Sequence, residues 1–481
     1  MPFSFLLFSL LSFLIFFLVS PFFLVVFHFA AAETQCFTNN DELKYAVKTY
    51  LQNFAGTSEI DSVEYANLEQ KYGLPIGDWC TSQLTNFSGI FAQPSYPDGT
   101  IIDQFNDDIG NWDVSSVLNM REMFYNATSF NGNIGDWDVS NVTNMSFMFY
   151  SNGGFNNGGV ALNGNFASTM TSVTSMSKIF YNEDALNQDV SSWDVSSVTN
   201  MTYMFSNASV FNQDISNWNT ALVEDMSAMF ERALLFDQNI NTNVDSWNTE
   251  KVTRMNQMFY GATAFDGNIA GWNTAAVTDM DVMFEDAVAF NQDISNWNTA
   301  QVESMNYMFT GATLFNQDIS TDGVKWNTSS VRDMSEMFED ATAFDGNISG
   351  WNTVLVSDME NMFEDAVAFN QDISSWNTAA VEDMNSMFER ATLFNQDIST
   401  NGDIWNTSKV TKMYDMFEDA TAFDGNISGW DTAAVKDMEW MFFRAIAFNQ
   451  DISSWNTAAV KDMNGMFAGA TLFDQDISTN E

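Results

Sequence analysis

The chain has 481 residues and a formal net charge of −47, from 63 acidic against 16 basic side chains. That balance excludes nucleic acid as a partner, because phosphate binding needs clustered Lys and Arg. One histidine, His28, and two cysteines leave little material for metal or nucleophilic chemistry.

Residues 1–32 carry no charged side chain and hold an apolar run from Phe3 to Phe29 that ends in Ala30, Ala31 and Ala32. The Ala-x-Ala pattern suits signal-peptide cleavage after Ala32. The length of the run and the lack of a basic leading segment suit an uncleaved membrane anchor instead. Either reading puts the rest of the chain outside the cytosol, secreted or at the cell surface.

Residues 33–75 read as a helical N-terminal cap. Asn39 with Glu42 forms a capping-box variant ahead of a helix over 41–54, and 61–72 forms a second helix stopped by Gly73. Cys36 in this cap and Cys80 just beyond it are placed for one disulfide in an oxidising compartment; two buried free thiols are the alternative.

From residue 76 to 481 a unit of Val-x-x-Met-x-x-Met-Phe type repeats. It recurs fourteen times, from Val117, Met120, Met123 and Phe124 to Val460, Met463, Met466 and Phe467, mostly at intervals of 25 residues. Counted from Trp272, Val277 stands at +5, Met280 at +8, Met283 and Phe284 at +11 and +12, Ala287 at +15, Phe290 at +18 and Ile294 at +22. Such a period predicts a solenoid, in which each unit buries its apolar face only against its neighbours. The Met, Phe and Trp stripes are its packed core.

Trp79, Leu84, Phe87, Ile90 and Phe91 fit the same positions, so a degenerate first copy brings the array to about fifteen. A long Gly- and Asn-rich loop near 151–165 interrupts it, and from Trp247 onward the spacing settles into 79-residue blocks restarting at Trp326 and Trp405. The four extra residues of each block, within 319–326 and 398–405, are expected to bulge as loops. No C-terminal cap follows the last copy, which leaves further sequence or pairing with another surface, including a second copy, to cover that end.

Acid accumulates in register two residues after the repeat valine, at Asp225, Asp279, Asp333, Asp358, Asp383, Asp437 and Asp462, with Arg254 and Lys412 interrupting. Stacked coils set these carboxylates roughly 5 Å apart in a row. Divalent-cation binding, with calcium the candidate ion, is one reading; a solvated acidic face that keeps the protein dispersed is the other. No cofactor is required. Asn291, Gln292 and Asp293, or Asp266, Gly267 and Asn268, read as turn chemistry, with stacked Asn serving the backbone between coils. A column of Thr from Thr220 to Thr457 suggests, more remotely, an ice- or mineral-binding face. Glycosylation sequons fall at Asn86, Asn126, Asn141, Asn144, Asn200, Asn207, Asn327, Asn347, Asn406 and Asn426. Acidic pairs such as Glu339 and Asp340 carry no catalytic signal in so acidic a chain, and the protein reads as a non-enzyme.

The runs Phe290 to Phe309 and Phe369 to Phe388 closely resemble the 25-residue repeat of the BspA-like leucine-rich-repeat surface proteins, which also occurs in mycoplasma lipoprotein-associated proteins. The resemblance covers about residues 74–481 and implies a leucine-rich-repeat-like solenoid at a cell surface, with adhesion or partner binding as its role. It carries no catalytic or ligand residue over to this chain. Met, Phe and Trp replace Leu here, with short parallel strands expected near Ile-Ser-x-Trp and Val-x-x-Met and a helical turn at Met-Phe-x-x-Ala. The functional expectation is adhesion or binding of an extracellular protein or glycan. A cation-bridged structural coat protein is the alternative, and a β-solenoid carbohydrate-active enzyme ranks third.

Overall fold

The computed structural model describes residues 35–54, 62–96, 102–241, 246–320, 325–399 and 404–477. The expected leader lies outside the described residues, and so do 321–324 and 400–403 within the two expected loop insertions. Thr34–Glu481 forms one compact unit, and no described helix is long and apolar enough to cross a membrane.

Helix α1 spans Asn40–Phe54 and α2 spans Ser62–Tyr72, each within a residue of the sequence expectation. The Asn39 side chain accepts from the Glu42 amide at 2.8 Å, and the Glu42 carboxylate reaches back to the Thr38 amide at 2.9 Å. Leu43, Ala46, Val47 and Leu51 form the buried stripe of α1. Gly73, at φ 78°, closes α2 by donating its amide to the Glu69 carbonyl at 2.9 Å. A disulfide joins Cys36 to Cys80, with their Cα atoms 4.5 Å apart, and beside it Phe37 stacks on Tyr72 at 4.0 Å.

Beyond the cap, fourteen parallel single-residue bridges run from Asn86 to Asp462 and define fifteen stacked coils. The bridging residue in these pairs is the one two after the repeat valine, or after Leu84 in the first coil. Among the described residues no longer strand forms, neither there nor near Ile-Ser-x-Trp, and the turn after it is not helical. In a helix every amide points back along its own axis, whereas here alternate amides leave the coil sideways. Met334, Glu336, Phe338 and Asp340 donate to Asp358, Glu360, Met362 and Glu364 of the next coil at 3.2, 2.8, 3.0 and 2.8 Å. Those between them close local turns, as Glu339 does onto Glu336 at 3.2 Å. This geometry holds Glu336 and Asp340 at φ 57° and 55°, in the left-handed region, and the same two positions are left-handed in coil after coil. Each such residue costs about 1–2 kcal/mol in isolation. Four hydrogen bonds to the next coil, at about 0.5–1.5 kcal/mol net apiece, offset that cost only when coils are stacked.

The interior is a set of aromatic ladders. Phe284 stacks over Phe309 at 5.6 Å, Phe290 over Phe315 at 5.8 Å and Trp272 over Trp297 at 6.0 Å. From Trp247 to Trp455 the ladder indoles donate to an isoleucine carbonyl one coil back, as Trp351 does to Ile319 at 3.0 Å, and Trp218 donates to the Val190 carbonyl in the same way. In the irregular coil the Leu162 carbonyl takes the place of isoleucine and accepts from Trp193 at 2.9 Å. The Thr column is buried from Thr220 to Thr432, and its hydroxyls donate to the next coil's backbone, Thr274 to Asn298 at 2.9 Å. That overturns a mineral- or ice-binding face, because those hydroxyls are spent inside.

The Asn-Gln-Asp column also links coils. The Asn316 amide donates to the Asn291 side chain at 2.9 Å, and Gln317 reaches the same residue at 2.8 Å. Where the column reads Asp-Gly-Asn, a Cβ on Gly346 would sit 2.1 Å from the Gln317 carbonyl oxygen, so only glycine fits.

The cap completes the first coil. Inside the array, carbonyls equivalent to those of Asn86 and Ser88 accept amides from the preceding coil. Asn40 on α1 supplies that donor instead, its Nδ2 reaching both at 3.0 and 3.3 Å, and the Tyr96 hydroxyl takes the Ile90 carbonyl. In the fifteenth coil Met463 is 41 % exposed, although its counterpart Met438 is fully buried.

Candidate functional site

With the interior committed to packing, what the protein can offer a partner is the outer face of the turns. Two features of that face matter: its carboxylates and one groove.

The aspartate row occupies the bridging column. Each carboxylate accepts the amide two residues on: Ser227 to Asp225, Asp281 to Asp279, Ser335 to Asp333 and Glu360 to Asp358 at 3.0 to 3.2 Å, and likewise Asn385, Glu439 and Asn464 onto Asp383, Asp437 and Asp462. Asn119, Asn144 and Asn200 do the same work in earlier coils, so the turn that Asp makes here is one a neutral Asn makes as well. Cations interrupt the row as ion pairs, Lys412 with Asp383 at 2.5 Å and Arg254 with Asp225 at 3.5 Å. Among the described residues no group of three or more His, Cys, Asp or Glu is arranged to hold a metal ion.

A second acidic column, not among the sequence expectations, stands on the same turns. Thirteen residues after the tryptophan position stand Glu231, Glu285, Glu339, Glu364, Glu389 and Glu418, partly buried on the turn. Burial pushes Glu285 up to about 7, Glu339 to about 8 and Glu418 to about 7, with neighbouring carboxylates adding to the effect. Arg390 partly relieves the crowding by pairing with Glu364, Glu389 and Asp365, the last at 2.7 Å. Counting the same offset through all copies is the signal that reveals this column.

In the early coils the same offset holds Tyr125, Tyr150 and Tyr181, stacked at 4.6 and 4.7 Å. Beside them the face is cationic and aromatic, with Arg121 and Lys178 over the Phe147 ring at 4.5 and 5.5 Å. The residues that follow the tyrosines, Asn126, Ser151 and Asn182, line a groove of about 900 Å³ together with Gln93, Asp103 and Asp184. Glu183 lies beneath it, fully buried where the repeat normally has Ala. Its carboxylate accepts the amides of Asn152, Gly153, Gly154 and Phe155, and so fixes the long loop of the irregular coil. Burial raises Glu183 to about 7 against those four hydrogen bonds. The departure from Ala at this position, and at Asn152 one coil earlier, is the mark this site leaves in the sequence.

Among the sequon asparagines, Asn86, Asn141, Asn347 and Asn426 are exposed, while Asn126, Asn144, Asn200, Asn207, Asn327 and Asn406 are half-buried. Asn141 donates its side-chain amide to the Ser115 carbonyl at 2.7 Å.

A family profile described as "Mycoplasma protein of unknown function, DUF285" matches residues 35–163, 161–244, 238–325, 320–404 and 398–481. No curated relative matches the chain. Among solved structures, it is similar to a leucine-rich repeat protein from Eubacterium ventriosum at 12 % identity, over 64 % of this chain and 82 % of that one, with a TM-score of 0.33. It is also similar to a leucine rich cell surface protein from Faecalibacterium prausnitzii at 13 % identity, over 54 % and 79 %, with a TM-score of 0.21. Superpositions that loose carry no argument, and the solenoid stands on its own repeats.

Proposed function

Since the chain belongs to the family described as Mycoplasma protein of unknown function, DUF285, and its repeats build one continuous solenoid, we propose that it is a non-catalytic binding protein, secreted or held at a cell surface. One observation carries this reading. At the first left-handed position of the turn, successive coils place Glu122, Phe147, Lys178 and Tyr203, and later Val282 and Trp440, on an unchanging backbone. The preceding buried positions keep Met in nearly all of the same coils. Folding demands explain the constant interior and leave the outer variation free, which is how a solenoid displays a binding surface. Labelled full chain is expected to bind intact cells or extracellular matrix saturably, with unlabelled chain competing. Linear, non-saturable uptake on every surface tried would refute the reading.

A further inference from the structure

The groove of the early coils differs from the rest of the surface, and its lining restricts what can occupy it. We infer that it binds a neutral oligosaccharide, a stretch of a few sugar units; this deepens the proposed binding role and rests on it.

Gln93 of the first coil and Asp103 just after it converge there with Asn126, Ser151 and Asn182 from the three coils that follow. Amides and hydroxyls dominate, the groups that exchange paired donors and acceptors with sugar hydroxyls. The charged residues lining it are Asp103 and Asp184, and no Lys or Arg does, so a phosphorylated or sulfated ligand finds no cationic partner in its walls. Apolar lining is confined to small groups such as Ala185, which leaves nothing to anchor a lipid chain or an amphipathic helix. A volume of about 900 Å³ exceeds what one monosaccharide fills.

Two further observations favour such a ligand. The Oε1 atom of Gln93 has no hydrogen-bond partner within the protein and is closed to solvent as it stands, so a ligand hydroxyl would satisfy it only on an outward turn of the Gln93 side chain. The walls are also held before any ligand arrives. Glu183 ties down residues 152–155, and the stacked Tyr125, Tyr150 and Tyr181 fix the backbone from which Asn126, Ser151 and Asn182 project. Because those rings cover one another's faces, they offer edges and hydroxyls outward rather than open stacking platforms. Preorganised polar walls reduce the ordering cost of binding.

The test uses full chain produced in a host without N-glycosylation, so that Asn126 of the sequon carries no sugar of its own. Affinity electrophoresis in gels containing mannan, β-glucan, xylan or galactan is expected to show retardation by at least one of these, and little by heparin. Thr128→Trp, at an exposed groove position, fills the space, and Asn182→Gly removes an amide at a residue whose φ of 60° glycine adopts freely. Each is expected to weaken retardation at least tenfold while leaving the thermal melt unchanged. Retardation by none of the four polysaccharides, or equal retardation of both variants, would overturn the inference. Saturable cell binding that survives in Thr128→Trp would sink the groove assignment and leave the broader binding role standing, whereas loss of all saturable binding in the parent chain would end both.

Discussion

Replacing Trp351 by Phe tests how the coils are tied to one another. The indole is 3 % exposed, stacks between Trp326 and Trp376 at 6.2 and 5.9 Å, and donates to the Ile319 carbonyl at 3.0 Å. Phe keeps an aromatic face in the ladder and removes the N–H, so the Ile319 carbonyl is left buried without that donor, at about 1–3 kcal/mol. The smaller ring leaves roughly 40 Å³, which at about 24 cal/mol per Å³ adds about 1 kcal/mol. The sum is about 2–4 kcal/mol. Because a solenoid gains stability from nearest-neighbour contacts, the loss should stay local. Amide hydrogen exchange reads it directly: the Glu336, Phe338 and Asp340 amides, which bridge to the next coil, are expected to exchange about 30- to 900-fold faster. Amides near Phe124 should be unchanged. Met359→Leu, a volume-conserving change at a fully buried site, provides a control expected to cost under about 1.5 kcal/mol. Acceleration below about threefold at Glu336, or an equal change in every coil, would refute the assignment of the indole hydrogen bond as an inter-coil tie.

The remaining expectations concern the acidic face and the cap. Asp358→Asn should leave the melting temperature unchanged or raised, because Asn supplies the same turn acceptor, whereas Asp358→Ala should cost about 0.5–2 kcal/mol; equal losses in both would mean that the charge matters. Repeating those melts in EDTA, calcium and magnesium checks the cation reading, since a calcium-specific rise abolished by Asp358→Asn would make the row a metal site. Glu183, Glu285, Glu339 and Glu418 bind protons more tightly folded than unfolded, so their contribution is fully present below the unfolded value near 4.5 and is lost as pH rises towards about 7 to 8. The melting temperature should therefore be higher by a few degrees at pH 5 than at pH 8, with added salt narrowing the gap by screening; a flat profile, or a maximum at pH 8, would contradict it. Glu42 runs the other way: burial opposes its charge, but hydrogen bonds from Lys71, Tyr72 and Thr38 hold it at about 2, so the cap loses that stability as pH falls through the range from about 4.5 to 2. Cys80→Ser should cost about 2–4 kcal/mol, seen as faster exchange in α1 and the first coil and not beyond, and a uniform effect along the array would refute so local a role.

Much of this architecture follows from side-chain spacing alone. Val, Met, Phe and Trp recurring at fixed offsets define which residues face inward, and burial of large apolar groups depends on little else, so the core, the coil count and the two cap helices were all legible in order. The structure departs from the expected strands and helical turn because periodicity reports which side a residue faces and says nothing of where its amide points. Glu336 and Asp340 are left-handed only because the next coil presents carbonyls for their amides. Polar residues were least legible for the same reason. Thr274 and Asp358 look like surface groups in the sequence, yet one hydroxyl is consumed inside the stack and one carboxylate caps a turn, roles set by whichever backbone groups the neighbouring coil leaves unsatisfied. The groove lies furthest from sequence reach. Gln93, Asn126, Ser151 and Asn182 share one repeat offset but no motif, Asp103 stands outside the repeat, and only the stacking of successive coils and the anchoring of residues 152–155 by Glu183 make a groove of them.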